Sequence, residues 1–254
     1  FKQKTAYEIR LSLVGSEMCI RDSICNVKNG HRDRQLLLGN GFDVIESSEN
    51  WAFGYSLKDG YKGYVKEIDL EPFESKTHWI KSLGTHAYIE PNIKSTDQIF
   101  LPFGSQINVI SKAKKFVKTK HGFIPEQHTL PIGSYLSDAV QVATKFLGAP
   151  YLWGGNSING IDCSGLIQAA CLACGMKCPG DSGPQKLFFP EVKKVPWCKG
   201  QLIFWKGHVA LTISDTELIH ANATAMSVTI EGIEATLSSI DAAGDGPVTH
   251  RSQI

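Results

Sequence analysis

The sequence predicts an α+β protein in which an all-β half precedes a half that mixes helices and strands. The first half carries an internal repeat of short alternating apolar runs and has no sustained helical period. The second half carries a helical apolar stripe around Cys163, followed by two strand-like runs that contain His208 and His220. A chain of 254 residues, 42% hydrophobic and 20% charged, is long enough for one large domain or about three small ones.

The net charge and the cysteine content indicate which partners and which cellular compartment the sequence favours. The net charge of +1 gives no indication of a nucleic-acid partner, and no apolar run approaches the roughly 18 residues that a membrane helix needs. The seven cysteines are an odd count, and four of them lie between residues 163 and 178. This pattern does not suggest a disulfide framework and favours a reducing compartment. Some periplasmic proteins also keep thiols, so the cytoplasm and the periplasm both stay open.

The N-terminal stretch YEIRLSLVGSEMCIRDS, Tyr7–Ser23, resembles a translated sequencing linker. We therefore predict that residues 1–23 are not native sequence, and we exclude them from the fold. On this prediction the native N-terminus is missing from the chain, together with any export signal that it carried.

The all-β half repeats itself at an offset of 65 residues. LLLGNGFDVI, residues 36–45, matches LPFGSQINVI, residues 101–110, and GYVKEIDL, residues 63–70, echoes GFIPEQHTL, residues 122–130. The apolar runs are short and are separated by Gly, Asn, Ser and Lys. Each copy is therefore predicted to form a small β-barrel of about sixty residues.

We place the two barrels at residues 24–76 and 77–133. The patterns GYV and GFI before the last strand of each copy resemble bacterial SH3-like domains. The resemblance favours ligand recognition over a purely spacing role, because loops on such scaffolds often carry function. The second copy opens with THAYIEP at Thr85, and its counterpart in the first copy falls near residue 20. The first barrel is therefore expected to lack its opening strand, which would leave backbone groups unpaired.

The mixed half begins with a helix predicted over residues 134–148. Ser137 is the predicted N-cap, and Gly148 ends the helix. One face carries the predicted apolar stripe of Ala139, Val140, Ala143, Phe146 and Leu147.

A second predicted helix begins beside Cys163 and ends at Gly175. Its apolar positions recur at helical spacing: Leu166, Ile167, Ala170, Cys171 and Cys174. Asp162 is a natural N-cap, which puts Cys163 in the first turn. The positive end of the helix dipole favours a thiolate there, so the position suits a nucleophile better than the core role that most cysteines have.

A nucleophilic cysteine needs a base, and two histidines lie in adjacent predicted strands. KGHVALTI, residues 206–213, and ELIHANA, residues 217–223, flank the tripeptide SDT. A three-residue loop puts His208 opposite Asn222 and His220 diagonal to His208 on the same face, whereas a two-residue loop would separate the histidines. The arrangement predicts His208 as the general base and His220 as the group that orients its imidazole.

Five motifs in order, PYLWGG, GIDCSGLIQ, CPGDS, GHVAL and LIHAN, resemble the NlpC family of papain-like cell-wall cysteine peptidases. The resemblance covers most of residues 134–254 and implies a papain-like peptidase domain there. Two SH3-like domains ahead of it are similar to the subgroup of γ-D-glutamyl-L-diamino acid endopeptidases, which act on peptidoglycan stem peptides. In that subgroup the first SH3-like domain helps to select released peptides with a free N-terminal L-Ala.

The resemblance also implies roles for individual residues, without a cofactor or a metal. Cys163 is the implied nucleophile, His208 the base and His220 the third member of the triad. The residues implied to lie near the oxyanion or to line the substrate cleft are Tyr151, Trp153, Asp162, Ser164, Asp181 and Ser182.

Other interpretations stay open beside this one. The protein could bind wall fragments through an inactive peptidase domain, or it could be an amidase or an acyltransferase on the same fold. A zinc site at Cys171, Cys174, Cys178 and Cys198 is not favoured, because the C-x2-C spacing lies inside a predicted helix that faces the core.

Overall fold

The computed structural model describes residues 10–13, 22–193, 195–244 and 246–254. The chain divides into two compact units, Phe1–Ser134 and Tyr135–Ile254. The first unit is built of strands and the second mixes helices with strands, as the sequence predicts. Among the described residues, no helix combines the length and the apolar character needed to cross a membrane.

The first β module comprises residues 10–13 and 22–72 and forms one seven-stranded antiparallel sheet, in the order β3-β2-β6-β5-β4-β1-β7. Its strands are β1 (Arg10–Leu13), β2 (Asp22–Cys25), β3 (Arg32–Leu36), β4 (Gly41–Ser48), β5 (Trp51–Ser56), β6 (Lys62–Lys66) and β7 (Leu70–Pro72). Burial alternates along β5, as the period of a strand with one face on a core requires. The core consists of Ile24, Leu36, Phe42, Val44, Ala52 and Val65.

The second β module comprises residues 78–131. Its strands are β8 (His78–Ile80), β9 (Gly84–Tyr88), β10 (Asp97–Pro102), β11 (Gln106–Ile107), β12 (Ser111–Ala113), β13 (Phe116–Thr119), β14 (Gly122–Pro125) and β15 (Thr129–Pro131). They form two antiparallel sheets, in the orders β10-β9-β14-β13-β12 and β11-β8-β15.

The two modules share one plan of strand pairing. β2 pairs with β3 and β6 as β9 pairs with β10 and β14. β1 pairs with β4 and β7 as β8 pairs with β11 and β15. A 3-10 turn precedes the last strand of each module, at Glu67–Asp69 and at Glu126–His128. The sequence repeat therefore corresponds to a repeated topology.

The expectation of a missing strand at the opening of the first module is wrong. β2 holds the position that β9 has in the second module, and β1 holds that of β8. Both strands include residues from the stretch predicted to be non-native, of which residues 1–9 and 14–21 lie outside the described residues. Ladder pairing uses backbone N–H and C=O groups, so residues of any origin can complete a sheet.

A short segment of the first module, residues 37–39, enters the core of the second. Leu38 is buried there with Ile80, and its carbonyl accepts the N–H of Gln106 at 2.8 Å. Gly39 has φ of +81°, and a Cβ at this position would lie 2.2 Å from the carbonyl oxygen of Gln106. The close approach of the two backbones therefore requires glycine.

The second unit holds the α-helices of the described residues. Its elements are α1 (Ala139–Lys145), β16 (Asn156–Ser157), β17 (Gly160–Ile161), α2 (Cys163–Ala173), α3 (Ser182–Phe188), β18 (Gln201–Trp205), β19 (His208–Thr212), β20 (Glu217–Asn222), β21 (Ser227–Gly232), α4 (Ile233–Ala242) and β22 (His250–Gln253). The main sheet has the order β21-β20-β19-β18-β22. Helix α2 packs against α1, β19 and β20, so the sheet supports the element that carries Cys163.

Helix α1 is shorter than the sequence predicts. Asp138, not Ser137, is the N-cap, because its carboxylate accepts the backbone N–H groups of Val140 and Gln141 at 2.9 and 3.1 Å. Leu147 lies beyond the helix and is 52% exposed, whereas Val142 is buried at 1%. The predicted stripe is therefore wrong at its last position, where the helical period no longer applies.

Candidate active site

Cys163 is the first residue of α2, as predicted. The residue is 6% exposed, so its thiol is largely screened from bulk water at the end of the helix. The Asp162 side chain caps the helix by accepting the N–H of Gly165 at 2.6 Å. The positive end of the helix dipole therefore acts on the Cys163 position.

The Asp162 carboxylate also holds the glycine-rich turn that precedes the helix. Its Oδ2 accepts the N–H of Gly154 at 2.8 Å, and its Oδ1 accepts the hydroxyl of Ser164 at 3.0 Å. A Cβ at Gly165 would lie 2.4 Å from the carbonyl oxygen of Gly155, so the turn and the helix approach each other more closely than a side chain allows. Asp162 and Ser164, both predicted to line the cleft, are buried and bonded to each other.

The hairpin of β19 and β20 brings the two histidines together. Leu211 lies opposite Ile219, a register that leaves a three-residue loop at 214–216. His208 Nε2 and His220 Nδ1 lie 2.9 Å apart, within hydrogen-bond distance. The predicted loop length and the predicted juxtaposition of the histidines are both confirmed.

The next strand adds a carboxylate that the sequence prediction missed. Glu231 Oε1 on β21 lies 3.5 Å from His220 Nε2 and accepts hydrogen bonds from Asn222 Nδ2 at 2.8 Å and from the Thr229 hydroxyl at 3.1 Å. Thr229 lies opposite His220 in the ladder, and strand alternation puts Glu231 on the same face. If the strand register is extended from β20 to β21, the sequence alone places Glu231 near His220 and on the same face of the sheet.

The start of α2 and the histidine pair lie at the same end of the sheet. Pro150 bridges to Ser227, the first residue of β21, and the half-buried Tyr151 bridges to Ile161. Cys163 follows two residues later. Because β21 begins where β20 ends and β19 begins, this path brings the backbone of Cys163 to the end of the sheet where His208 lies.

Burial controls the protonation of the histidine pair. Removal from water lowers the pKa of His208 from 6.5 to about 3, and His220 adds to the lowering while Glu231 opposes it. Burial also lowers the pKa of His220, again against the influence of Glu231. Burial raises the pKa of the Glu231 carboxyl, but the contacts with His220 and with the hydroxyls of Thr229 and Thr236 outweigh it and lower that pKa overall. At neutral pH the site therefore holds two neutral imidazoles beside an ionised carboxylate.

The remaining predicted site residues lie on the turn before α2 and at the start of α3. Trp153 is 66% exposed. Asp181 is the N-cap residue of α3 and Ser182 its first helical residue. Gln185, one turn into this helix, donates its Nε2 hydrogen to the carbonyl of Ser164 at 2.9 Å. This bond ties α3 to the first turn of α2.

The cysteines considered as zinc ligands lie in different environments. Cys171 is fully buried inside α2, Cys174 is its C-cap, and Cys198 is exposed. Among the described residues, no group of three or more His, Cys, Asp and Glu side chains is placed to hold a metal ion.

A buried thiol at a helix N-terminus and a hydrogen-bonded histidine pair on the supporting antiparallel sheet fit the nucleophile, base and orienting group of a cysteine peptidase. Residues 148–240 match the NlpC/P60 family. Residues 26–70 match the bacterial dipeptidyl-peptidase Sh3 domain. The chain thus carries an NlpC/P60 cysteine peptidase domain and a bacterial Sh3 domain.

Relatives of known name align with most of the chain. Dipeptidyl-peptidase 6 of Lysinibacillus sphaericus is 29% identical over 226 residues, which cover 79% of this chain and 83% of the relative. The γ-D-glutamyl-L-lysine dipeptidyl-peptidase of Bacillus cereus is 29% identical over 233 residues, which cover 78% of this chain and 69% of the relative.

Solved structures share the fold. The crystal structure of an NlpC/P60 family protein from Bacillus cereus superposes with a TM-score of 0.72 at 22% identity, covering 87% of this chain and 82% of that one. An NlpC/P60 endopeptidase from Photobacterium damselae superposes with a TM-score of 0.64 at 14% identity, covering 96% of this chain and 72% of that one.

Proposed function

We propose that the protein is a cysteine peptidase that hydrolyses the γ-D-glutamyl–L-diamino acid bond of peptidoglycan stem peptides. The hydrogen bond between His208 Nε2 and His220 Nδ1 carries this proposal, because it leaves the other ring nitrogen of His208 to serve a nucleophile. The name of the Bacillus cereus relative, γ-D-glutamyl-L-lysine dipeptidyl-peptidase, supports the substrate class. The alignment of the relatives with the modules as well as the peptidase domain supports released peptides with a free N-terminal L-Ala as the preferred substrate.

The reaction follows from the proposed roles of three side chains. Cys163 Sγ gives its proton to His208 Nδ1 and attacks the γ-carbonyl carbon of D-Glu. The backbone N–H of Cys163, at the helix tip, donates to the oxyanion of the tetrahedral intermediate. His208 passes the proton to the leaving amine, and a thioester remains. His208 then deprotonates a water molecule, which hydrolyses the thioester and restores the thiol.

The other predicted residues are assigned to the walls of the cleft. Asp162 and Ser164 hold the turn before α2, and this turn positions Tyr151 beside the oxyanion. We assign Trp153, Asp181 and Ser182 to contacts with the peptide.

We also propose that the second β module is an SH3-like domain, like the first. The strand plan that the two modules share supports this assignment. Both modules would recognise the substrate rather than act as spacers. A bacterial enzyme with this activity can work in the cytoplasm or in the periplasm.

A cleavage assay followed by mass spectrometry tests the proposal. The substrates are L-Ala-γ-D-Glu-L-Lys, the matching diaminopimelate peptide, and the N-acetylated form of each. Cys163→Ala is expected to abolish cleavage. Cys174→Ala is the matched control, because it removes a thiol from the C-terminal end of the same helix.

Each outcome separates one interpretation from the others. Release of the diamino acid from the free peptides alone would support both the chemistry and the selection of a free N-terminus. Cleavage of the acetylated peptides as well would keep the bond and remove that selection. Peptide binding without cleavage by the folded protein would favour a wall-fragment binding protein, and transfer to an added amine would favour an acyltransferase.

A further inference from the structure

The Glu231 carboxylate lies beside the histidine pair and accepts three hydrogen bonds. Its Oε1 accepts from Asn222 Nδ2 at 2.8 Å and from Thr229 Oγ1 at 3.1 Å, and its Oε2 accepts from Thr236 Oγ1 at 3.2 Å. His220 Nε2 lies 3.5 Å from Oε1. Three donors from two strands and a helix therefore hold this carboxylate against one edge of a buried imidazole.

The charge of the protonated base imposes one arrangement on the histidine pair. A protonated His208 carries hydrogens on both ring nitrogens, so its Nε2–H must donate to His220 Nδ1 across the 2.9 Å contact. His220, with its single proton, must then carry that proton on Nε2, which faces Glu231 Oε1. When His208 is protonated, the Nε2–H of His220 therefore needs an acceptor, and Glu231 Oε1 is the acceptor that it faces.

The neighbouring amide cannot take this part. Asn222 Oδ1 accepts the N–H groups of Thr224 at 2.6 Å and Ala225 at 3.0 Å, which turns Nδ2 towards His220 and Glu231. Asn222 Nδ2 lies 3.2 Å from His220 Nε2 but can only donate. When His220 accepts a hydrogen bond from His208, its own proton is on Nε2. Without the Glu231 carboxylate, this Nε2–H would face the NH2 group of Asn222, which is also a donor.

We propose that Glu231 is a positioning residue of the peptidase: it selectively stabilises the thiolate–imidazolium form by accepting the Nε2–H of His220 when His208 is protonated. The inference rests on the proposed nucleophile–base pair. In this step the S–H bond of Cys163 breaks, an N–H bond forms at His208 Nδ1, and no proton leaves the site. Glu231 lies beyond both imidazoles, so its negative charge favours the cation at His208 more than it opposes the anion at Cys163.

Alkylation of Cys163 by iodoacetamide measures this effect without substrate. The rate constant for the peptide that contains Cys163 is followed by mass spectrometry at pH 7 and at pH 10. At pH 7 the reactive thiolate depends on the imidazolium, whereas at pH 10 the thiol ionises without it. The ratio of the two rate constants therefore reports the ion pair, and a change in access to the thiol alters both rates together.

Glu231→Gln is expected to lower the ratio of the pH 7 to the pH 10 rate by up to about tenfold, a shift of about one pKa unit. Glu231→Asp keeps the charge and is expected to restore most of the ratio, even where the shorter side chain lowers the melting temperature. Glu217→Gln, an exposed carboxylate on β20, is the matched control and should leave the ratio unchanged.

An unchanged ratio in folded Glu231→Gln, or an equal change in Glu217→Gln, would overturn the proposal. If Glu231→Gln does not fold, Thr229→Val removes one donor to the carboxylate, and a smaller fall in the ratio is expected. An unchanged ratio there would also overturn it. The alkylation result stands apart from the cleavage assay, so a wrong substrate assignment and a wrong role for Glu231 are told apart.

Discussion

Replacement of Asp162 by alanine should destabilise the tip of α2 more than any other change to a single capping side chain. The carboxylate accepts the N–H of Gly165 at 2.6 Å and the N–H of Gly154 at 2.8 Å. Loss of an N-cap costs about 1 kcal/mol, and a buried N–H left without an acceptor costs about 1–3 kcal/mol. We therefore expect Asp162→Ala to lower the free energy of unfolding of the second unit by about 3 kcal/mol.

Two further variants make the expectation specific. Asp162→Asn keeps one acceptor but presents an NH2 group to a backbone donor, so it should cost about half as much as alanine. Asp181→Ala is the matched control, because Asp181 is an N-cap residue whose side chain makes no capping hydrogen bond to α3. It should cost less than Asp162→Ala, because no capping hydrogen bond is lost.

Urea unfolding and hydrogen exchange measured on the amides of α2 provide the assay, since exchange reports the stability of that helix locally. At about 4 °C per kcal/mol for a domain of this size, the melting temperature should fall by about 12 °C. A loss below about 1 kcal/mol for Asp162→Ala, or one no larger than that of Asp181→Ala, would refute this account of the turn.

Two other predictions concern the stability of the second unit at acid pH and the backbone contact between the two β modules at Gly39. The folded pKa of His208 is lowered, so between pH 6.5 and about 3 the unfolded chain binds a proton that the folded chain does not. The free energy of unfolding of the second unit should fall by up to about 2 kcal/mol from pH 6.5 to pH 5, and His208→Gln should flatten that slope in a urea titration. Gly39→Ala should lower the melting temperature of the first unit well beyond Gly60→Ala. Both glycines have positive φ, but an added Cβ would meet a backbone oxygen, that of Gln106 at 2.2 Å, only at Gly39. Equal effects of the two glycine variants in thermal unfolding would show that φ alone matters.

Local patterns carry the prediction wherever neighbours in the sequence are also neighbours in space. Asp162 caps α2 because an N-cap bonds to a backbone group only three residues away. The histidines meet because a three-residue loop fixes the register of the two strands that it joins. The predicted start of α1 is wrong by one residue, since two adjacent residues could each cap it and only the packed helix selects Asp138.

The sequence by itself determined the division into an all-β half and a mixed half, the placement of Cys163 in a helical first turn and the pairing of His208 with His220. Only the tertiary structure showed how the Glu231 carboxylate is held beside His220, because its hydrogen bonds come from two strands and a helix. Only the tertiary structure showed Leu38 in the core of the other β module. That contact depends on how the two β modules pack, and no spacing along the chain encodes it.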